Sequence, residues 1–173
     1  MTSQLRVDKI VPVDGIGSDS GNNRYGGGVV QVVQSYGNGS ETATTSTSYV
    51  ATGTAATITP KFSTSKIMVE VMGGTCSAAA DGNGMNVTVY RSINGGTFTA
   101  MHGVSGRPSV SLWRMYNNSG RVQMGCAIKF LDAPATTNSV EYKVYINSNG
   151  GGSVQFNNHF YDHASIILTE HSA

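Results

Sequence analysis

The sequence carries little charge. Lysine, arginine, aspartate and glutamate make up 12% of its 173 residues, and 11 basic against 10 acidic side chains leave a formal net charge of +1. So balanced a chain lacks the basic excess that gathers nucleic acid. It also lacks the polybasic cluster that holds a protein on an anionic membrane surface. Long apolar runs are missing: none approaches the ~20 residues of a membrane-spanning helix, so no membrane insertion is expected. No apolar core follows MTSQLRVDK, so no secretory signal is expected either. Cysteine is scarce. Cys76 and Cys126 are the two present, too few for a disulfide framework and without the CxxC spacing of a zinc site. They read as two small buried hydrophobes, with a pairing between them left open. Strong helix formers never run together, and no window carries a 3.6-residue apolar period.

What the chain does have is glycine, 22 residues of it, with abundant threonine, serine and asparagine between short alternating runs. That is the composition of an all-β protein with many turns. Its length predicts one domain. VVQVVQSY (29–36) is β-prone. TTSTSYVATGTAATITP reads as two short strands around Gly53. SKIMVEVMGG places Ile67, Val69 and Val71 on one face and Lys66, Met68 and Glu70 on the other. MNVTVYRS turns Met85, Val87 and Val89 inward, and the NGG at 94–96 predicts a hairpin. Periodicity lapses between His102 and Gly120. It returns in VQMGCAIKFLD, with Val122, Met124, Cys126, Ile128 and Phe130 inward, and in VEYKVYINS, with Val140, Tyr142, Val144 and Ile146 inward. SVQFN and ASIILTE follow. Eight or nine antiparallel strands without a helix fit a two-sheet jelly-roll-like β-sandwich. An immunoglobulin-like sandwich is the alternative. It is disfavoured because Trp113 falls in a loop-like stretch and not mid-strand between paired cysteines.

Ahead of the strands lie two segments of different character. Residues 1–14 contain an alternating peptide with Leu5, Val7, Ile10 and Val11 as its apolar positions; residues 15–28 are a Gly/Ser/Asn-rich linker; residues 29–173 carry the sandwich. An alternating peptide on a flexible leash suits docking by strand addition to a partner.

Signatures of catalysis are sparse. GVSGR (103–107) has a serine between glycines, but the spacing is not GxSxG and no helix follows. GNG, NGG and GGG precede no GK[ST], so they are not phosphate loops, and no cofactor is expected. The carboxylates Asp132, Glu141 and Glu170 show no spacing of an acid–base pair. His159 and His163 could share a strand face, with Asp162 opposite, but two imidazoles are too few for a closed metal site. The sequons at Asn38, Asn86 and Asn117 carry no weight without a secretory signal. One segment suggests binding: the stretch from His102 to Arg121 holds the sole tryptophan, Trp113, with Arg107, Arg114 and Tyr116 around it. Aromatic and arginine side chains dominate interface hot spots and stack on sugars.

Several stretches resemble one family. LRVDKIVPVDG (5–15) resembles the N-terminal signature of small virion proteins of marine tailed phages, especially cyanophages. TTSTSYVATGTAATITPKFSTSKIMVEV (44–71) is similar to the first sandwich strands of those proteins. FLDAPATTNSVEYKVYI (130–146) and ASIILTEHSA (164–173) are similar to later ones. The stretch from His102 to Arg121 departs from the pattern. The resemblance implies a non-enzymatic structural protein in the virion, a tail-fibre, head-fibre or capsid-decoration subunit assembled in the host cytoplasm. It implies a homotrimer and other virion proteins as partners. A host-surface glycan contacted through residues 102–121 is the alternative role.

Overall fold

A computed structural model describes residues 28–37, 40–79, 83–101, 111–118, 120–157 and 163–172. Eleven strands are present among these residues, and no helix. They are β1 (Val29–Tyr36), β2 (Thr42–Thr44), β3 (Val50–Ile58), β4 (Lys66–Ala78), β5 (Gly84–Ile93), β6 (Thr99–Ala100), β7 (Trp113–Tyr116), β8 (Val122–Asp132), β9 (Val140–Ser148), β10 (Val154–Phe156) and β11 (Ala164–His171). Every pairing is antiparallel. The first sheet runs β1–β11–β4–β10–β2, with β8 along the other side of β4; the second runs β3–β9–β5–β6, with β7 also on β5. The two sheets enclose one core, so the chain is an all-β, jelly-roll-like sandwich.

The alternation in the sequence sets which side of each strand faces inward. Ile67, Val69 and Val71 of β4, Met85, Val87 and Val89 of β5, and Val140, Tyr142, Val144 and Ile146 of β9 are all fully buried. Each such aliphatic side chain contributes roughly 1.5–3 kcal/mol by leaving water. In the first sheet the inner cross-strand rows are Val33–Leu168–Val69–Phe130 and Ser35–Ile166–Val71–Ile128. The Asn94–Gly95 turn closes the β5–β6 hairpin with positive φ at both residues (52° and 70°), and the Gly96 amide donates to the Ile93 carbonyl at 3.0 Å. Asparagine and glycine are the residues that tolerate this geometry.

Four expectations need correction. β3 is one strand through Gly53, not two; a register shift between Ala51 and Ala55 absorbs the irregularity that looked like a break. Trp113 lies in strand β7, paired with Val87 on β5, and not in a loop. The strand is only four residues long, too short for an alternation to be read. Met124 stands opposite the buried Cys76, and so on the inner side, but is 46% exposed; among the described residues β8 is an edge strand bonded to β4 alone. The strand number is eleven because β2 and β7, three and four residues long, are too short to show an alternation. Cys76 and Cys126 are free thiols, both buried, on the neighbouring strands β4 and β8 of one sheet. That is not the inter-sheet bridge of an immunoglobulin domain. Contact with Cys126 and burial push the Cys76 thiol up, while the same contact holds Cys126 down.

β4 changes partner along its length. Residues 66–73 pair with β11 and residues 76–78 with β10, both on the same edge. The change falls at Gly73 and Gly74, both with positive φ (82° and 71°), where the ladder to β8 also skips a residue. A Cβ on Gly74 would stand 2.6 Å from the Asn157 Oδ1 atom and 3.0 Å from the Ala164 Cβ, so the bend requires glycine.

Candidate binding surface

β7 sorts the aromatic segment between the two sides of its sheet. Val87 opposite Trp113 and Met85 opposite Met115 put Trp113 and Met115 inward; Asn86 opposite Arg114 and Gly84 opposite Tyr116 put the other two outward. Trp113 is half-buried against the core, and Met115 is buried. Tyr116 is 50% exposed. Its ring lies over Gly84, where an added Cβ would meet the ring at 3.1 Å and the Met115 carbonyl at 2.7 Å. The Arg114 guanidinium sits 5.7 Å from the centre of the Tyr116 ring, in cation–π contact. Of the anticipated binding residues, then, the structure brings Arg114 and Tyr116 together on the surface and assigns Trp113 to packing. Arg107 lies outside the described residues, as do Leu5, Val7, Ile10 and Val11 of the arm.

The outer side of the same sheet holds a cluster that the sequence did not disclose. Tyr90 and Tyr145 stack with centroids 4.1 Å apart, and Tyr49 and Phe98 add ring contacts at 6.0 Å each. Lys143 reaches over Phe98 at 4.9 Å and pairs with Glu141 at 2.9 Å. Burial, then the adjacent Tyr90, pushes the Tyr49 hydroxyl up to about 12. Burial and Tyr145 likewise raise Tyr90. The alternation of VEYKVYINS does place Lys143 and Tyr145 outward. That they meet Tyr90 depends on the β5–β9 register, which no local pattern sets. Next to the cluster, Asn86 donates to Asn147 Oδ1 at 2.8 Å.

Carboxylates and amides are used internally. Asp132, nearly buried, accepts from Arg91 Nη1 at 2.9 and 2.8 Å and from the Tyr142 hydroxyl at 2.6 Å. Burial and the Asp132 contact raise the Tyr142 hydroxyl far above the ordinary tyrosine range. Glu170 is fully buried and accepts from Gln31 Nε2 at 2.5 Å and from the Lys61 amide at 2.7 Å. Burial alone would raise its carboxyl. The Ser65 and Gln31 side chains and the Lys61 and Phe62 amides outweigh that and hold it below the usual range. Asn117, a sequon residue, is buried, donates to the Ala78 carbonyl at 3.1 Å, and is engaged in the fold. Asn38 and His159 lie outside the described residues. His163 is exposed just before β11. Among the described residues no group of three or more His, Cys, Asp or Glu side chains is placed to hold a metal ion.

No family model matches the chain, and no curated protein matches it. Solved structures to which the chain is similar include those of infectious bursal disease virus. The Gt strain is similar at 11% identity and a TM-score of 0.40, over 84% of this chain and 39% of the viral one. The Gx strain is similar at 10% identity and a TM-score of 0.40, over 82% and 33%. The chain thus spans less than half the length of the viral chains it matches.

Proposed function

We propose that the chain is a non-enzymatic structural subunit of a virus particle, a tail-fibre, head-fibre or capsid-decoration component. Its sandwich is carried on the 15–28 linker and anchored by the peptide that contains Leu5, Val7, Ile10 and Val11. The observation that carries this reading is the order of segments in the sequence: an alternating peptide, a Gly-rich linker, then the sandwich. Among the described residues, strand pairing from Val29 to His171 builds both sheets and their core. Strand addition of the upstream peptide to a partner would supply backbone bonds, with Val7 and Ile10 as side-chain anchors. The resemblance of residues 5–15 to the N-terminal signature of phage virion proteins supports the same assignment. Deletion of residues 1–15 tests it: the truncated protein should fold but fail to enter virions. Incorporation at the wild-type level would refute the anchoring role. Copy number per virion then separates decoration, at hundreds, from a tail or unique-vertex appendage, at a few to a few tens.

A second reading, a contact with host-surface glycans, draws on the exposed Arg114–Tyr116 pair. Trp113→Ala would disturb the core, so the informative variants are Arg114→Ala and Tyr116→Ala. Unchanged adsorption to host cells by both would remove this reading.

A further inference from the structure

The outer side of the first sheet is organised in three cross-strand rows. They run Val32–Thr169–Met68–Leu131, Gln34–Ile167–Glu70–Lys129 and Tyr36–Ser165–Met72–Ala127, each crossing β1, β11, β4 and β8 in turn. The outer two rows are the more apolar, and the middle row holds the Lys129–Glu70 ion pair at 2.7 Å. Val32 is 58% exposed, Tyr36 67%, Met72 52% and Leu131 49%. Four of the eight large exposed hydrophobics among the described residues thus fall on this one face. Apolar patches of this kind on a soluble protein mark interaction sites.

We infer that this face is covered by a second copy of the chain, related by a two-fold axis that runs along the strands. β1 then lies over β8 of the partner, and β11 over β4. The argument is complementarity. Turning the rows about that axis lays Tyr36 on the partner copy's alanine at position 127, and Met72 on its serine at position 165, so large side chains meet small ones. Val32 meets the leucine at 131, and Met68 the threonine at 169. In the middle row Lys129 meets glutamine and Glu70 meets isoleucine, so each carboxylate keeps its own lysine. A two-fold across the strands does the reverse, setting Glu70 on glutamate and Lys129 on lysine, and like charges in contact are disfavoured. Size fits as well. Four strands and seven residues make a face about 19 Å by about 23 Å, roughly 440 Å² in plan. Side-chain relief brings its accessible surface toward the roughly 800 Å² per partner of a standard interface, provided the whole face is used. The result is an isologous dimer, distinct from the trimer that the family resemblance implies.

Full-length protein at micromolar concentration should have the mass of a dimer in sedimentation velocity. Met72→Glu should shift it to a monomer with an unchanged far-UV circular dichroism spectrum. Register is tested by charge. Positions 32 and 131 stand three strands apart within one chain, about 14 Å, too far to pair there, whereas across the interface each faces the other. Val32→Lys alone and Leu131→Glu alone should each weaken the dimer, and the double variant Val32→Lys/Leu131→Glu should restore it. A monomeric full-length protein, a trimer, or a dimer that survives Met72→Glu would overturn the inference. So would a double variant no more dimeric than the single ones.

Discussion

Tyr142→Phe isolates one buried hydrogen bond. The Tyr142 side chain is fully buried, and its hydroxyl donates to Asp132 Oδ2 at 2.6 Å. Phenylalanine keeps the ring and its packing in the core, so the change removes a donor and little else. A hydrogen bond to a charged group contributes about 1.5–3 kcal/mol net. The larger loss of about 3–5 kcal/mol, for a buried charge stripped of its partner, does not apply. Arg91 still holds Asp132 through its two contacts at 2.9 and 2.8 Å. We therefore expect a loss of about 2 kcal/mol. At this chain length it should lower Tm by about 4–8 °C. Urea unfolding followed by the fluorescence of Trp113, which packs against the core, reads the change as a lower midpoint at unchanged slope. A loss below about 0.5 kcal/mol, the size of an ordinary surface substitution, would refute the account of Asp132 as a carboxylate that depends on both donors.

Two further outcomes follow from groups packed without slack. A Cβ on Gly37 would stand 2.6 Å from Thr54 Oγ1 and 3.3 Å from the Ala164 carbonyl. Gly37→Ala should therefore cost about 1–3 kcal/mol by overpacking, and Thr54→Ala in the same chain should restore part of it; an additive double variant in chemical denaturation would count against this. Glu170 has its pKa held down in the folded protein, so its contribution is present above the unfolded glutamate pKa and is lost as pH falls through the folded value. Glu170→Gln should lower stability at pH 7 by about 2 kcal/mol and flatten the acid limb of stability against pH, and an acid limb as steep as the wild type's would contradict it.

Much of the sandwich is legible in the sequence, because one side of each long strand must leave water. β4 from Lys66 to Met72, β8 from Gly125 to Asp132, β9 as far as Ile146 and β11 show a two-residue period that the burial follows. Local patterns fail where the sheet departs from local rules. The bulge between Ala51 and Ala55 makes one strand look like two. Four residues of β7 are too few to display a period, so Trp113 reads as a loop residue. Edge position is invisible as well. Met124 has the phase of a core residue, but among the described residues no strand lies beyond β8 on that edge. Of the candidate site, residue types were legible and neighbours were not. Arg114 and Tyr116 belong to one sequence segment and duly meet. Tyr49, Tyr90, Phe98 and Tyr145 come from four segments, and only the register of β5 on β9 and the loops around it assemble them.

The place of β11 between β1 and β4 bears on when the protein can fold as it is made. Among the described residues β1 is the first strand of the sandwich, and it pairs there with β11 alone, synthesised more than a hundred residues later. β4 likewise lacks a neighbour along residues 66–73 on that edge until the same strand emerges. Domains in general fold as they leave the ribosome. Here the second sheet can assemble from β3, β5 and β9 while the first stays open, with the Val29–Tyr36 strand unpaired. The nascent chain then carries an uncharged, β-prone edge for most of its synthesis, the kind that invites pairing with neighbours. Nascent chains stopped before residue 164 should therefore depend on chaperones, and completed ones should not.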